Sequence, residues 1–279
     1  MQMFLLRPDD ITNATFAYCL AEAAQRYKVP IVLPLAMTNH EHIVLDDPDC
    51  RQSEFMAHFH KLVAKAVNAH RGRRENLWSV EPPCMVELGD TEALIRKLIY
   101  VATNPVTAGL VSKVEDWPGF SGVQAFLDDE PIVTHRPAHY FDEDGDMPET
   151  VILKLEIPRR FGDPHWIRER VRQGIKEVEA ECAAKLRRAK KRVLGAAGVK
   201  AQRWWSCPNS RRQRGGIRPR VAAKWLWRRL ELLDRNEQFQ KDYRAAYAAW
   251  RAGEPAVFPA GTYWLARFAN VTVARAEKI

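Results

Sequence analysis

Long hydrophobic runs are missing from this chain of 279 residues, and no apolar stretch approaches the roughly 20 residues that a membrane span needs. The N-terminus also lacks the basic region, apolar stretch and small-residue cleavage site of a secretory signal. Cysteine is sparse: Cys19, Cys50, Cys84, Cys182 and Cys207 are odd in number, widely spaced and form no C-x-x-C pair, which argues against a disulfide framework or a zinc ribbon. These absences lead to the expectation of a soluble, cytoplasmic protein. No Gly-rich phosphate loop is present, and the K/R-G-F/Y-G/A-F pattern of a common RNA-binding module does not occur. Aromatic residues are plentiful, with nine Trp and eleven Phe in a composition that is 46% hydrophobic, so at least one substantial buried core is expected.

Charge is distributed unevenly. Residues 1–150 hold 13 Lys and Arg against 23 Asp and Glu, a net of −10, whereas residues 151–279 hold 30 against 12, a net of +18. Such an asymmetry points to an acidic domain over residues 1–140, an acidic linker at 141–150 built on Asp142-Glu143-Asp144-Gly145-Asp146 and Pro148, and a basic region at 151–279 made for a polyanion. The basic runs include Arg187-Arg188-Ala189-Lys190-Lys191-Arg192, Arg211-Arg212-Gln213-Arg214 and Arg228-Arg229. Arg187, Arg188, Lys190, Lys191, Arg192, Arg211, Arg212 and Arg214 are therefore candidate DNA-binding residues. In Arg203-Trp204-Trp205 and Lys224-Trp225-Leu226-Trp227-Arg228-Arg229, cations alternate with aromatics. Either run suits phosphate contact with base stacking, or a helix with a Trp-lined core face.

Periodicity in the first half predicts the order β-α-β-β-α-β-α. A short strand at Phe4 to Leu6 is followed by a helix from about Thr15 to Tyr27, capped from Asp9, Asp10 or Asn13, with Pro30 beyond its end. Apolar stretches at Ile31 to Met37 and Glu41 to Leu45, read as adjacent strands or one strand with a bend, follow, then a helix from Gln52 to His70, capped by Asp49 and ended by Gly72. A third strand is expected near Cys84 to Leu88, and a helix capped by Thr91 that stops near Pro105. Short strands without a phosphate loop favour an α+β fold over a doubly wound one.

Two features could carry chemistry. His40 and His42 flank Glu41 in an extended segment, which puts both imidazoles on one face and Glu41 on the other. His58 and His60 are also two apart, but they fall in a helix, where such residues do not face each other, and they read as structural. In the later helix, at about 100° per residue with Leu94 at zero, Leu98, Ala102, Ile95 and Ile99 lie between about 40° and 140°, while Tyr100 and Asn104 lie near 240° and 280°. Tyr100, Asn104 and Lys97 thus share the polar face, and a tyrosine, an amide and a histidine pair suit the cutting of a phosphodiester.

The stretch Ala36-Met37-Thr38-Asn39-His40-Glu41-His42-Ile43-Val44-Leu45, the later Glu75-Asn76-Leu77-Trp78, the block Tyr100-Val101-Ala102-Thr103-Asn104-Pro105-Val106-Thr107-Ala108-Gly109-Leu110-Val111 and then Trp117-Pro118-Gly119 resemble the single-tyrosine HUH transposases, in particular the REP-associated tyrosine transposases. The resemblance covers about residues 4–123, and the Val257-to-Leu265 segment is similar to C-terminal extensions on some members. It implies a ferredoxin-like antiparallel sheet with helices. It also implies His40, His42 and Asn104 as ligands of Mg²⁺ or Mn²⁺ and Tyr100 as the nucleophile. The implied activity is cutting and rejoining of single-stranded or hairpin DNA through a 5′-phosphotyrosine, with a free 3′-hydroxyl and no ATP. A homodimer is compatible with the sequence. At the middle of the H-x-H, where the family usually carries a bulky apolar residue, this chain has Glu41. A DNA-binding protein that keeps the fold without cleavage is the rival reading.

Overall fold

The computed structural model describes residues 3–81, 83–208 and 219–275. The first helix, α1 (Asp10–Tyr27), opens on Asp9, whose carboxylate accepts a hydrogen bond from the Thr12 amide at 2.8 Å, and closes on Lys28 in the left-handed conformation. Next come β1 (Ile31–Ala36) and β2 (Glu41–Leu45), an antiparallel pair with Leu35 opposite His42 and Ala36 opposite Glu41. Every residue of β1 is buried, as its unbroken apolar run requires. Its second edge is also bonded: the Gly122 amide donates to Pro34 O, Ala36 N to Phe120 O and Glu156 N to Ile31 O, each at 2.9 Å. Gly122 is needed at this crossing, because a Cβ there would lie 2.5 Å from Pro34 Cδ.

Helix α2 (Gln52–Arg71) buries Phe55, Phe59, Leu62, Val63, Ala66 and Val67 along one stripe, with Phe59 edge to face on Phe16 of α1 at 5.2 Å. Gly72, at φ 64°, ends it. Its first amides are satisfied by Asp47, which accepts from Arg51 N and Gln52 N, in place of the expected Asp49. The chain then forms β3 (Glu87–Leu88), α3 (Thr91–Ala102), the single turn α4 (Asn104–Thr107), α5 (Val123–Asp128), β4 (Ile132–His135) and β5 (Thr150–Leu153). Asp90, one residue before the expected Thr91, caps α3 by accepting from Ala93 N, and Thr91 donates its hydroxyl proton to Phe161 O. The remainder is α6 (Pro164–Arg188), α7 (Gly195–Ala201), β6 (Val221–Ala222), α8 (Leu226–Arg251), β7 (Val257–Phe258), α9 (Trp264–Phe268) and β8 (Thr272–Val273). The fold is thus α+β, with helices around small two-stranded ladders. No helix among the described residues is long and apolar enough to cross a membrane.

Three sequence expectations differ from this arrangement. Phe4 to Leu6 is not a strand; Leu6 N makes one bond, to Thr38 O at 2.9 Å. The strand near Cys84 shrinks to β3, which pairs in parallel with β6 and stays outside the β1–β2 sheet. The acidic run at 141–150 is the loop between the paired strands β4 and β5. Its carbonyls at Glu143, Gly145 and Met147 converge on the Arg136 guanidinium, and the Tyr18 hydroxyl donates to Pro148 O at 2.6 Å. Val151, Leu153, Leu155, Ile157, Ile167, Val171 and Ile175 lie in the same core cluster as α1, α2 and α3, so the core runs through 141–150 without a break.

Candidate active site

The turn between β1 and β2 is closed by Met37 N donating to His40 O at 2.8 Å, which places His40 just ahead of the strand and His42 within it. Their rings meet edge to face, with centroids 4.9 Å apart and planes 89° to one another. Tyr100, in the last turn of α3 and 51% exposed, brings its ring to 5.6 Å from that of His42. Lys97, one turn earlier, holds its ammonium 4.8 Å from the centre of the Tyr100 ring. Helix α3 ends at Ala102, where the Thr103 hydroxyl donates back to Ile99 O, and Asn104 opens α4 with Pro105 behind it. Despite this break in the helix, the Asn104 side chain reaches the same histidine, Nδ2 lying 3.1 Å from His42 Nε2. The structure therefore brings His40, His42, Tyr100 and Asn104 together.

Electrostatics favour the neutral form of both imidazoles. Burial, with the neighbouring His40 and Lys97 adding to it, pushes the His42 pKa down to about 4, and burial also lowers that of His40. Neutral His42 can accept the Asn104 amide proton at Nε2 and carry its own proton on Nδ1. His40 Nδ1 lies 2.8 Å from Asn39 Oδ1; donation there leaves Nε2 with a free lone pair. Two neutral imidazoles and an amide that can turn its oxygen inward could hold one divalent cation, with positions left for phosphate and water. Among the described residues, no group of three His, Cys, Asp or Glu side chains could hold a metal.

Glu41 points to the opposite side of β2, as the pleat requires, and its carboxylate pairs with His60 Nε2 on α2. The His60 ring stacks on Trp78 at 4.3 Å, and Trp78 Nε1 donates to His60 O at 2.9 Å. Glu41 therefore has a partner that the sequence did not reveal, because a helical histidine says nothing about the strand it will meet. His58 is paired with Glu22 at 2.7 Å.

Arg187, Arg188, Lys190, Lys191 and Arg192 are exposed at the end of α6 and in the turn after it, where cations also suit the negative end of the helix dipole. Leu194 N donates to Gly109 O at 3.1 Å and Gly195 N to Leu110 O at 2.8 Å, so this run is fastened to the segment that begins at Asn104. Arg211, Arg212 and Arg214 lie outside the described residues. No protein-family model, curated protein or solved structure matches the chain.

Proposed function

We propose that this chain cuts and rejoins single-stranded or hairpin DNA through a covalent tyrosine intermediate, on a ferredoxin-like arrangement of the HUH type. The observation that carries the reading is the convergence of Tyr100, His40, His42 and Asn104 from three separate elements onto one exposed spot. Nothing in an ordinary α+β core requires an exposed tyrosine edge-on to a histidine that burial keeps neutral. Mg²⁺ or Mn²⁺ bound by His40, His42 and Asn104 would act as a Lewis acid on the scissile phosphate. The Tyr100 oxygen attacks phosphorus and loses its proton to solvent; the bond to the 3′-oxygen breaks, and that oxygen takes up a proton. The products are a 5′-phosphotyrosine and a free 3′-hydroxyl, and the reverse steps join a new 3′ end. Lys97, over the Tyr100 ring, contributes positive charge where the anionic phosphate must approach. The exposed cations of residues 187–192 would hold flanking phosphates.

A labelled hairpin oligonucleotide tests this directly. The native chain should form a covalent adduct with a divalent cation, while Tyr100→Phe should form none and keep its affinity within a few-fold, since one hydroxyl contributes little to a charge-dominated interface. An adduct that persists in Tyr100→Phe, or cleavage that survives EDTA, overturns the assignment. Binding by the native chain with no adduct at all would leave a DNA-binding protein without cleavage.

A further inference from the structure

Two runs that alternate cations with tryptophan have no part in the chemistry above. In the first, Trp204 is half-buried with the Arg73 guanidinium 5.9 Å from its ring. Trp205 stands at right angles to it, centroids 5.2 Å apart, with 54% of its surface exposed and Arg203 5.8 Å from its ring. In the second, Trp225 is 56% exposed ahead of α8, with Lys224 Nζ 5.6 Å from its ring, and Trp227 is more exposed still. Helix α8 buries only Leu232 and Ala246 among its described residues, so these tryptophans are not the core face of a helix. Exposing large apolar rings to water costs free energy, and both here are accompanied by a cation.

Each run is hydrogen-bonded, directly or through one further segment, to an element that carries a residue of the candidate active site. Phe4 N donates to Ser206 O at 3.0 Å and Leu6 N to Thr38 O at 2.9 Å, and Thr38 lies two residues before His40. Lys224 N donates to Asp90 Oδ2 at 2.5 Å, and Asp90 is the cap of α3, the helix that carries Tyr100. Met3, Leu5, Leu6, Gly89, Asp90 and Arg228 line the same groove as His40 and His42.

We propose that Trp205 and Trp225 are base-stacking platforms that grip unpaired bases of a single-stranded nucleic acid flanking the segment presented to Tyr100. The inference rests on the reading of this chain as acting on DNA and adds the residues that hold the unpaired strand. Charge favours the occupant: the net of +18 over residues 151–279 attracts a polyanion. A base offers every platform a π-face, and its phosphate lies within reach of Arg203 or Lys224, so the grip is tolerant of sequence.

The test uses the full chain and two fluorescein-labelled probes, an oligothymidylate and an abasic deoxyribose-phosphate oligomer of equal length and charge, read by anisotropy at several salt concentrations. The native chain should prefer oligothymidylate. Trp205→Ala and Trp225→Ala should each weaken its binding by at least about fivefold, with the abasic probe and the salt slope unchanged, because stacking and not phosphate contact is lost. Trp→Phe at either position should retain most of the preference and Trp→Leu should not, which separates a π-face from mere apolar bulk. Equal native affinity for the two probes, or Leu variants that bind like the native chain, overturns the proposal. Neither measurement needs strand cleavage, so a missing tyrosine adduct and a missing stacking preference are separate failures.

Discussion

At the scale of single residues, the pairing of Glu41 with His60 accounts for a carboxylate between two histidines on a strand that is otherwise apolar. Glu41 Oε1 is matched with His60 Nε2, while Oε2 is buried without a hydrogen-bond partner, so the site is only half satisfied. Removing one member of such a pair leaves the other desolvated and unbonded, whereas removing both costs little. Glu41→Val should therefore lower stability by about 1–2 kcal/mol, Glu41→Gln by less because an oxygen acceptor remains, and Glu41→Val with His60→Leu should recover much of the loss. Urea denaturation of the three variants and His60→Leu closes the cycle; strict additivity would mean that the contact carries no energy. The rule that side chains alternate along a strand was enough to place His40 and His42 on one side and Glu41 on the other. What α2 would bring to Glu41 was not legible, because it depends on how the helix rotates once Phe55, Phe59 and Leu62 are buried.

At the scale of elements, α1 and α2 are legible in the sequence because their apolar residues recur at helical spacing, and their caps are less so because several acids compete for one place. Asp47 takes the role expected of Asp49, and Asp90 that expected of Thr91. The strand expected at Cys84 failed for a different reason: an isolated apolar run has no partner until the remote Val221 supplies one. Asp9 illustrates how much one cap can hold. Beyond capping α1, it accepts from Arg71 Nη1 at 2.7 Å and from Arg7 Nη2 at 3.1 Å, and the Arg71 side chain is 3% exposed. Burial alone would raise the Asp9 pKa, but the Thr12 hydrogen bonds with Arg71 and Arg7 hold it well below the usual carboxylate range. The unfolded carboxylate takes its proton near about 3.9 and the folded one only at much lower pH, so this contribution is complete above about 3.9 and is lost as pH falls below it. Asp9→Asn keeps a capping oxygen and leaves Arg71 without its anion, which should cost about 2 kcal/mol at neutral pH. Its stability should also fall less than that of the native chain between pH 4 and pH 2, as followed by thermal unfolding. Parallel acid profiles for the two chains would rule out this role for Asp9.

For the whole molecule, charge and core divide the chain at different places. The sign of charge changes near residue 150, but the core cluster continues through β5 and α6 to Val199. Charge lies on the surface and composition can count it; which segments share an interior depends on long-range pairing such as Glu156 with Ile31, which no local pattern announces. Beyond residue 208, the buried Val221, Leu232, Ala246 and Phe258 lie outside that cluster. Much of their attachment runs through one strip: Arg235 pairs with Glu87, Arg228 Nε donates to Gly89 O at 3.1 Å, Lys224 N bonds Asp90, and a Cβ on Gly89 would stand 2.5 Å from Leu232 Cδ1. A chain ending at residue 150 loses Leu153, Leu155, Ile167, Val171 and Ile175 from the core and should not unfold cooperatively, whatever its charge. A chain ending at residue 208 should unfold cooperatively near the native melting temperature and keep Tyr100, His40, His42 and Asn104. It would hold 28 Lys and Arg against 29 Asp and Glu, and so lose nearly all the positive charge that draws a polyanion. Because log affinity falls with log salt by roughly 0.7–0.9 per phosphate contact, its binding to a hairpin should be weaker and its salt slope shallower than those of the full chain. Equal slopes for the two chains would confine every phosphate contact to residues 1–208, which include the exposed run at 187–192.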